Sequence, residues 1–308
     1  MRALAIADRT AQPSLLELPV AEPGPGQLRV DVQAASVNGF DTAVAAGYVW
    51  DAMPHTFPVV LGRDFAGTVA AVGGGVAGPE AGTRVLGVVT GPELGTGAIA
   101  ESITVDADSV VEIPAGVSWV QAAAVGLAGV TASVLVSALA PGSDDVVLVS
   151  GATGGVGAFA VQLAAHSGAR VLATAHPGAA QFVTGLGAES TVDHGGDLTA
   201  QVQALAPAGL SGVIHLAGDA AALGALLSPG GRLVSALGAS PEQVGRDDVS
   251  VVSVRAAATS AIVSALLQAV ADGTLSVPVE RTYGLRDAAT ALADFGSPKQ
   301  GKLVITTS

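Results

Sequence analysis

Residues 147–162 read VLVSGATGGVGAFAVQ, an apolar run followed by a glycine-rich bend and then by small and apolar residues. The apolar run is typical of a buried strand, and the residues after the bend favour a helix. The bend fits the pattern G-x-G-x-x-G, except that alanine replaces the first glycine. Glycines allow a close approach of the backbone, and a helix amino terminus offers free N–H groups to a pyrophosphate. The segment therefore predicts a dinucleotide site formed by Ala152, Thr153, Gly154, Gly155, Val156 and Gly157.

Apolar runs alternate with helical stretches from Asp144 onward. We predict strands at 146–150, 170–174, 190–193, 212–217 and 231–237, separated by helices around 155–167, 178–187, 197–205 and 219–227. This alternation is typical of a parallel sheet covered by helices on both faces. Residues 1–112 instead carry short alternating runs broken by Gly and Pro, which indicates a mostly β domain. We predict an α/β chain with a mostly β domain followed by a doubly wound parallel-sheet domain.

Composition excludes several classes of function. The chain has 26 acidic and 13 basic residues and a formal net charge of −13, without a cluster of Lys or Arg. We therefore expect neither nucleic acid nor an anionic membrane surface as a partner. The chain contains no cysteine, which excludes disulfides, cysteine metal ligands and thiol nucleophiles.

A long uncharged stretch requires an interpretation. Residues 113–143 contain no Asp, Glu, Lys or Arg and are long enough to span a bilayer. Interspersed Gly, Ser, Thr and Gln residues make the stretch weakly apolar, so a pair of buried helices explains it better. The amino-terminal residues show no secretory signal pattern, and we expect a cytoplasmic protein.

The end of the second predicted strand bears on the choice of nucleotide. NAD sites usually carry an acidic residue there that binds the ribose 2′-hydroxyl. Here the residues are Thr174, Ala175 and His176, so no carboxylate would repel a 2′-phosphate. The sequence favours NADPH over NADH, with Thr174 and His176 as candidate phosphate contacts. An exposed loop position is the alternative interpretation of His176.

Several segments, in order, resemble the medium-chain dehydrogenase/reductase superfamily. They are GPGQLRVDVQAASVNGFD, FPVVLGRDFAGTVAAVGGGV, GLAGVTA, VLVSGATGGVG and GKLVI. The chain resembles the zinc-free quinone oxidoreductase (zeta-crystallin-like) and enoyl reductase branch in particular. The resemblance implies a GroES-like substrate domain at 1–117, completed by 258–308, and a Rossmann domain at 118–257. It also implies a homodimer paired through a strand near 250–255.

The resemblance also explains why a zinc site is not expected. Zinc-containing members place a catalytic Cys before an Asp, then Gly-His-Glu, then a lobe with four Cys. Here Asn38 stands in the place of the first Cys and Arg63 in the place of the His. Zinc prefers thiolate, imidazole and carboxylate ligands. We therefore predict no metal and no zinc-dependent alcohol oxidation.

Conjugate reduction is the chemistry that the resemblance implies for a site without zinc. Hydride passes from the nicotinamide to a quinone or an α,β-unsaturated carbonyl compound, whose oxygen then needs hydrogen-bond donors and a proton. Asn38 and Tyr48 are the predicted catalytic donors, although Tyr48 has a packing role as its alternative. The predicted pocket contains Asp41, Trp50, Arg63 and Asp64, of which the charged residues are better explained as a structural ion-pair cluster.

Further cofactor contacts follow from the same resemblance. The residues are Thr131 in GLAGVTA, Ala217, Leu237 and Gly238. Two alternatives to a generalist quinone or enone reductase stay open at this point. One is a biosynthetic enoyl or ketide reductase acting on a thioester or natural product, and the other is a non-catalytic NADPH-binding protein.

Overall fold

The computed structural model describes residues 1–307 and divides the chain into two units, Met1–Leu127 with Ala258–Ser308 and Ala128–Ala257. The strands in chain order are β1 (Arg2–Ile6), β2 (Ser14–Glu17), β3 (Gln27–Ser36), β4 (Val59–Val60), β5 (Asp64–Val72), β6 (Arg84–Val88), β7 (Ser102–Asp106), β8 (Val110–Glu112), β9 (Val146–Ser150), β10 (Arg170–Thr174), β11 (Ser190–Val192), β12 (Leu210–His215), β13 (Leu227–Ser235), β14 (Ser250–Ser253), β15 (Val279–Gly284) and β16 (Lys302–Thr306). The helices are α1 (Gly39–Ala45), α2 (Trp119–Leu139), α3 (Gly155–His166), α4 (Ala180–Gly185), α5 (Leu198–Leu205), α6 (Ala220–Gly224), α7 (Pro241–Val244), α8 (Ser260–Ala271) and α9 (Ala288–Asp294).

The first unit is mostly β. A seven-stranded sheet has the order β15-β16-β3-β5-β6-β8 with β7 paired to β3, and a three-stranded sheet has the order β2-β1-β4. Along β3 the side chains of Leu28, Val30, Val32 and Ala34 are buried in alternation, as expected for a strand with one face on a core. The carboxyl-terminal strand β16 pairs with β3, so the end of the chain completes this sheet.

The second unit is a doubly wound parallel sheet. Its order is β11-β10-β9-β12-β13-β14, and all its strand pairs are parallel. This is the 3-2-1-4-5-6 order of dinucleotide-binding folds, in which the ligand binds outside the carboxyl ends of the strands. The predicted fold class, a mostly β domain together with a parallel-sheet domain, is confirmed.

Helix α2 carries the long uncharged stretch and joins the two units. It is long and apolar enough to cross a bilayer, but 61% of its most apolar window is buried inside the protein, as in core helices of soluble proteins. Gly126 has non-helical φ/ψ of −44° and −108°, so α2 consists of two helical pieces, as the sequence predicts.

The unit boundary falls at Leu127 rather than at the predicted 117/118. The start of α2 is bound to the first unit, because the Leu127 N–H donates to Asp64 Oδ2 at 2.9 Å. A Cβ on Gly126 would lie 2.7 Å from the Asp64 Cβ, so the helix approaches β5 closely. The second boundary between the units lies at 257/258.

Candidate functional site

The glycine bend connects β9 to α3 as the sequence predicts. Gly151 has φ +82°, a conformation that favours glycine, and Gly154 is the residue that precedes the first turn of α3. A Cβ on Gly157 would lie 2.2 Å from the Gly151 carbonyl oxygen, so only glycine lets the helix approach the bend this closely. The first N–H groups of α3 have no carbonyl partner within the helix. The bend therefore has the backbone groups and the space that a pyrophosphate requires.

Thr174 has a different role from the predicted phosphate contact. The Gly151 N–H donates to Thr174 Oγ1 at 2.8 Å, and the side chain is only 5% exposed. Its hydroxyl therefore holds the glycine bend against the end of β10 and is not presented to a ligand. Neighbouring strand ends in a parallel sheet lie close enough for this contact, which the sequence pattern could not reveal.

His176 is the exposed polar side chain at this strand end. Its Nδ1 accepts a hydrogen bond from the Gly178 N–H at 3.1 Å. This contact orients the ring, and Nε2 has no hydrogen-bond partner among residues 1–307. Of the two predicted phosphate contacts, His176 is the one that the geometry leaves available.

The other predicted cofactor contacts belong to the second unit. Ala217 follows β12, and its carbonyl accepts from Ser150 Oγ at 2.6 Å, which ties it to the glycine bend. Leu237 is 59% exposed and Gly238 has φ +81° in the loop after β13. Because the carboxyl ends of parallel strands share one edge of a sheet, both loops lie on the edge that carries the bend. Thr131 is half-buried on α2, and its contact with a cofactor stays a prediction.

A buried polar cluster in the first unit contains two of the predicted pocket residues, the predicted donor Asn38 and one lysine that sequence reasoning missed. Lys302 Nζ donates to Asn38 Oδ1 at 2.6 Å and to the Val37 carbonyl at 2.9 Å. Asn38 Nδ2 lies 3.2 Å from Asp64 Oδ1 and 3.2 Å from the Ser36 carbonyl. Lys302 begins β16 within the apolar segment GKLVI, and a lysine inside such a strand was the available signal.

Asp41 and Asp64 are fully buried beside this lysine. Asp41 accepts the Asn38 N–H at 2.8 Å and the Gly62 N–H at 3.1 Å, and Asp64 accepts from Ser36 Oγ at 2.7 Å. Burial, reinforced by the charge of Asp64, raises the pKa of Asp41 to about 7. Burial lowers the pKa of Lys302, against the attraction of both carboxylates. The cluster therefore holds its charges in an environment that penalises them.

The prediction that Asn38 donates to a substrate oxygen does not fit this geometry. Both N–H groups of its amide are directed at protein acceptors, and the residue is only 7% exposed. The Lys302 ammonium on the amide oxygen and the Asp64 carboxylate on the amide nitrogen both require this orientation of the Asn38 amide. In the flipped orientation the amide NH₂ would face the ammonium and the amide oxygen would face the carboxylate. Asn38 therefore serves as a link within the cluster.

Arg63 does not join the carboxylates in an ion pair. Its guanidinium donates to the Val89 carbonyl at 3.1 Å and lies 4.0 Å from the centre of the Phe40 ring. No salt bridge of Arg63 occurs among residues 1–307, and burial lowers its pKa. The charge of Lys302, which β16 brings into the first unit, interacts with both Asp64 and Asp41, whereas that of Arg63 interacts with Asp41.

The two aromatic residues predicted at the site lie in different environments. Trp50 is 7% exposed, donates from its indole nitrogen to the Val44 carbonyl at 2.7 Å and stacks on Phe57, so it is a core residue rather than a pocket wall. Its neighbour in sequence, Tyr48, is 84% exposed and its phenol makes no hydrogen bond with residues 1–307. Tyr48 therefore does not pack, and its hydroxyl is free to act as a donor.

The residues at the zinc locus of the superfamily do not fit zinc. Asn38 and Arg63 stand in the places of a thiolate and an imidazole, and the chain has no cysteine. The Lys302 ammonium already occupies the Asn38 oxygen at 2.6 Å, and a second cation beside it would be repelled. Neutral amide, guanidinium and ammonium groups do not form a zinc ligand set.

Two family models match the chain. The model described as alcohol dehydrogenase GroES-like domain matches residues 24–115, and the model described as zinc-binding dehydrogenase matches residues 186–305. The first match lies in the mostly β unit. The second begins in the parallel-sheet unit and extends into the carboxyl-terminal strands.

Known proteins resemble the chain in sequence and in fold. A quinone oxidoreductase from Coxiella burnetii is 25% identical, covers 100% of this chain and 99% of its own, and superposes with a TM-score of 0.88. A mycobacterial protein solved in complex with NADPH is 28% identical over 99% of both chains, with a TM-score of 0.86. A mycocerosic acid synthase-like polyketide synthase from Mycolicibacterium smegmatis is 42% identical over 106 residues, which are 34% of this chain and 5% of the synthase.

The chain spans 40% or less of the length of the curated relatives it matches, whereas the structural matches cover whole chains. The two family models together match more than half of the chain, and both units have the corresponding folds. The chain belongs to the medium-chain dehydrogenase/reductase superfamily of oxidoreductases, whose members bind a nicotinamide cofactor.

Proposed function

We propose that this protein is an NADPH-dependent, zinc-independent oxidoreductase that reduces a quinone or an α,β-unsaturated carbonyl compound. The observation that carries the proposal is the Lys302 ammonium on Asn38 Oδ1 at the zinc locus of the superfamily. Without zinc there is no Lewis acid to hold an alkoxide, so reduction of a conjugated acceptor suits the scaffold better than alcohol oxidation. The Coxiella burnetii neighbour, named a quinone oxidoreductase, supports the same class of substrate.

The choice of NADPH rests on the end of β10. No carboxylate occupies positions 174–176, and His176 is exposed with its Nε2 unpartnered among residues 1–307. An imidazole can donate to a 2′-phosphate, whereas an acidic side chain would repel it. The mycobacterial neighbour with bound NADPH adds support.

The roles of the residues follow from their contacts. When bound, the nicotinamide supplies a hydride to the acceptor. The first N–H groups of α3 would hold the pyrophosphate, and Thr174 keeps the bend in place from behind. Tyr48 is the residue we propose to donate a hydrogen bond, and then a proton, to the acceptor oxygen, since its hydroxyl is free. Asn38, Asp41 and Asp64 belong to the buried polar cluster of the first unit and bond one another or the backbone there.

An enoyl reductase acting on a thioester is the second candidate. The match to the polyketide synthase from Mycolicibacterium smegmatis, which is 42% identical over 34% of this chain, favours it. The hydride chemistry is the same for both candidates, so only the substrate distinguishes them.

The experiment combines cofactor binding with turnover. Purified protein is titrated with NADPH and NADH by fluorescence, and the loss of NADPH absorbance is then followed with small quinones, small enones and an enoyl thioester. Parallel samples contain a zinc chelator or added zinc. We expect tighter binding of NADPH, turnover of a quinone or enone, and rates unchanged by chelator.

The other outcomes are equally informative. Turnover of the thioester alone would select the second candidate, and binding without turnover of any acceptor would indicate a non-catalytic NADPH-binding protein. Absence of binding by either nucleotide would overturn the interpretation of the glycine bend. A rate abolished by chelator and restored by zinc would overturn the zinc-independent mechanism.

We further propose a cytoplasmic homodimer with small molecules as its only other partners. Strand β14 is an edge strand of the parallel sheet, and its outer side has no strand neighbour among residues 1–307. Such an edge offers N–H and C=O groups to a second copy. The charge of −13 argues against nucleic acid and anionic membranes. Light scattering coupled to size-exclusion chromatography tests the dimer.

A further inference from the structure

We propose that His215 is a positioning residue for the nicotinamide half of the cofactor site. The inference rests on the proposed function, since it assumes that the protein binds NADPH. His215 is the last residue of β12 and is only 4% exposed, so it cannot itself be a ligand on the surface of the sheet edge. Its role follows from the two hydrogen bonds of its ring.

The ring of His215 connects the loops that follow β12 and β13. Its Nδ1 lies 3.0 Å from Ser235 Oγ, at the end of β13, and its Nε2 lies 3.1 Å from the Gly218 carbonyl oxygen. Ser235 Oγ in turn accepts the N–H groups of Leu237 at 3.0 Å and Ala239 at 3.3 Å. A single imidazole therefore orders the backbone at the carboxyl ends of two adjacent strands.

The network assigns the tautomer of the ring. Ser235 Oγ already accepts two N–H groups, so its own hydrogen is directed at Nδ1. Nδ1 is therefore an acceptor, and Nε2 carries the proton that is donated to the Gly218 carbonyl. Both ring nitrogens and the Ser235 hydroxyl hydrogen have one partner each, and the Ser235 oxygen accepts two N–H groups, an arrangement that makes a polar network rigid. Removal of the imidazole would leave the Ser235 hydroxyl without its acceptor and the Gly218 carbonyl without its donor.

The two loops hold residues that we expect to contact the cofactor. Ala217 precedes Gly218, while Leu237 and Gly238 lie between the Ser235 hydroxyl and Ala239. In a sheet of this order the dinucleotide lies across the carboxyl edge, with one mononucleotide on each half of the sheet. His176, at the end of β10, belongs to the half β9 to β11, and His215 belongs to the half β12 to β14. The imidazole thus acts on the half opposite to the adenosine 2′-phosphate.

This division gives a test with two probes. NADPH occupies both halves of the site, whereas adenosine 2′,5′-bisphosphate occupies only the half that includes His176. We measure the dissociation constant of each probe for the wild type, His215→Phe, His215→Asn and Ser235→Ala. Asparagine places an oxygen acceptor near the position of Nδ1 and can receive the Ser235 hydrogen bond, while phenylalanine cannot.

Ser228→Ala is the matched control. Ser228 Oγ donates to the Leu210 carbonyl at 3.1 Å, so it also links β13 to β12, but at the opposite end of the two strands. The same substitution on the same strand removes a similar hydrogen bond far from the carboxyl edge. Thermal unfolding of each variant shows how much stability is lost.

We expect His215→Phe and Ser235→Ala to weaken NADPH binding about tenfold, because each leaves buried polar groups unpaired at the site. Binding of adenosine 2′,5′-bisphosphate should change less than about twofold in all variants, and Ser228→Ala should leave both constants unchanged. His215→Asn should recover part of the NADPH affinity. If His215→Phe does not fold, Ser235→Ala and His215→Asn provide the same comparison.

Two results would overturn the inference and are distinct from a failure of the proposed function. Equal weakening of both probes would show a general structural effect, and unchanged NADPH binding in folded variants would show that the loops do not need the imidazole. A wild-type protein that binds neither probe would instead reject the cofactor site itself and with it this inference.

Discussion

Lys302 Nζ lies 2.6 Å from Asn38 Oδ1, although 264 positions separate the two residues in the chain. The contact joins the first residue of β16 to the residue that precedes α1, inside the first unit. At the place where zinc members of the superfamily have a thiolate on a metal, this protein has an amide on an ammonium. The buried ammonium of Lys302 and the buried carboxylates of Asp41 and Asp64 provide opposite charges at this place, as a metal ion and its ligands would.

Replacement of the buried lysine should destabilise the first unit strongly. In Lys302→Met the buried Asp41 and Asp64 lose their cation and Asn38 loses its donor, so the free energy of unfolding should fall by about 3 kcal/mol. Lys299→Met is the control, since Lys299 is only half-buried, bonds a single backbone carbonyl and repels rather than attracts the charge of Lys302. Denaturant unfolding measures both. Similar losses for the two variants would contradict the central role of Lys302.

The buried Asp41 should make stability depend on pH in an unusual direction. Its pKa is raised from 3.8 to about 7, so the folded state binds a proton that the unfolded state has released between these values. The contribution of Asp41 to the free energy of unfolding therefore decreases by up to about 4 kcal/mol as the pH rises from about 4 to 7. Above pH 7 this contribution is constant. Asp41→Asn should lack this contribution.

The comparison for Asp41 is the difference between the unfolding free energies of wild type and Asp41→Asn from pH 4 to 9. A difference that falls with pH and levels near 7 is expected. A difference that rises with pH would mean that Asp41 is ionised in the fold throughout, held by the Asn38 and Gly62 N–H groups and by Lys302.

A negative charge at position 176 should shift the cofactor preference. In His176→Asp the carboxylate can accept from the Gly178 N–H as the imidazole does, but it would repel a 2′-phosphate and favour a 2′-hydroxyl. His176→Asn keeps the same local acceptor without the charge. The ratio of NADH to NADPH dissociation constants should be about tenfold lower for Asp than for Asn. Equal ratios would place the 2′-phosphate elsewhere.

The free space at Gly154 should be required by the cofactor rather than by the fold. A Cβ there would meet only the Gly151 carbonyl oxygen at 3.5 Å, and the residue has φ −73°, which alanine adopts easily. Gly154→Ala should therefore weaken NADPH binding about tenfold with little change in Tm. Gly185→Ala in α4, with open space around it, is the control and should bind normally. Unchanged binding in Gly154→Ala would argue against a pyrophosphate at the bend.

The two tyrosines of the chain should respond in opposite ways to the loss of their hydroxyls. Tyr48→Phe should lower kcat about tenfold or more without a change in Tm, since the phenol is exposed and makes no protein hydrogen bond among residues 1–307. Tyr283→Phe removes a partly buried hydrogen bond of 2.8 Å to Asp294 and should lower Tm while kcat is retained. An unaltered kcat in Tyr48→Phe would leave the proton to water.

The predicted strand and helix order of the second unit agrees with the structure for identifiable reasons. β9 and β10 are mostly apolar runs whose last four residues are buried, and a strand buried on both faces needs such a run. β13 is less regular and begins at Leu227 rather than at residue 231. Some bounds differ from the prediction. β12 begins at Leu210 rather than at residue 212. The helix predicted at 178–187 is only Ala180–Gly185, because the chain first forms a short turn from His176 to Ala179.

The predictions for the site were less complete, because they concern side-chain contacts between distant segments. Thr174 was correctly placed at the strand end, but its hydroxyl bonds Gly151. Asn38 was predicted to donate to the substrate, but both N–H groups of its amide are directed at the Ser36 carbonyl and at Asp64 inside a buried cluster. Nothing in the local sequence of Arg63 distinguishes an ion pair from the observed contacts with the Val89 carbonyl and Phe40.

The sequence by itself determined the class of fold, the glycine bend and the absence of cysteine ligands, because periodicity, turn residues and residue types are local properties. Only the tertiary structure decided which cation accompanies the buried carboxylates and which groups remain free for a ligand. Lys302 reaches Asn38 because β16 pairs with β3 after the second unit has been inserted in the chain. His215 reaches Ser235 because β12 and β13 are parallel neighbours. Such contacts depend on strand pairing across the whole chain, and no short segment contains that information.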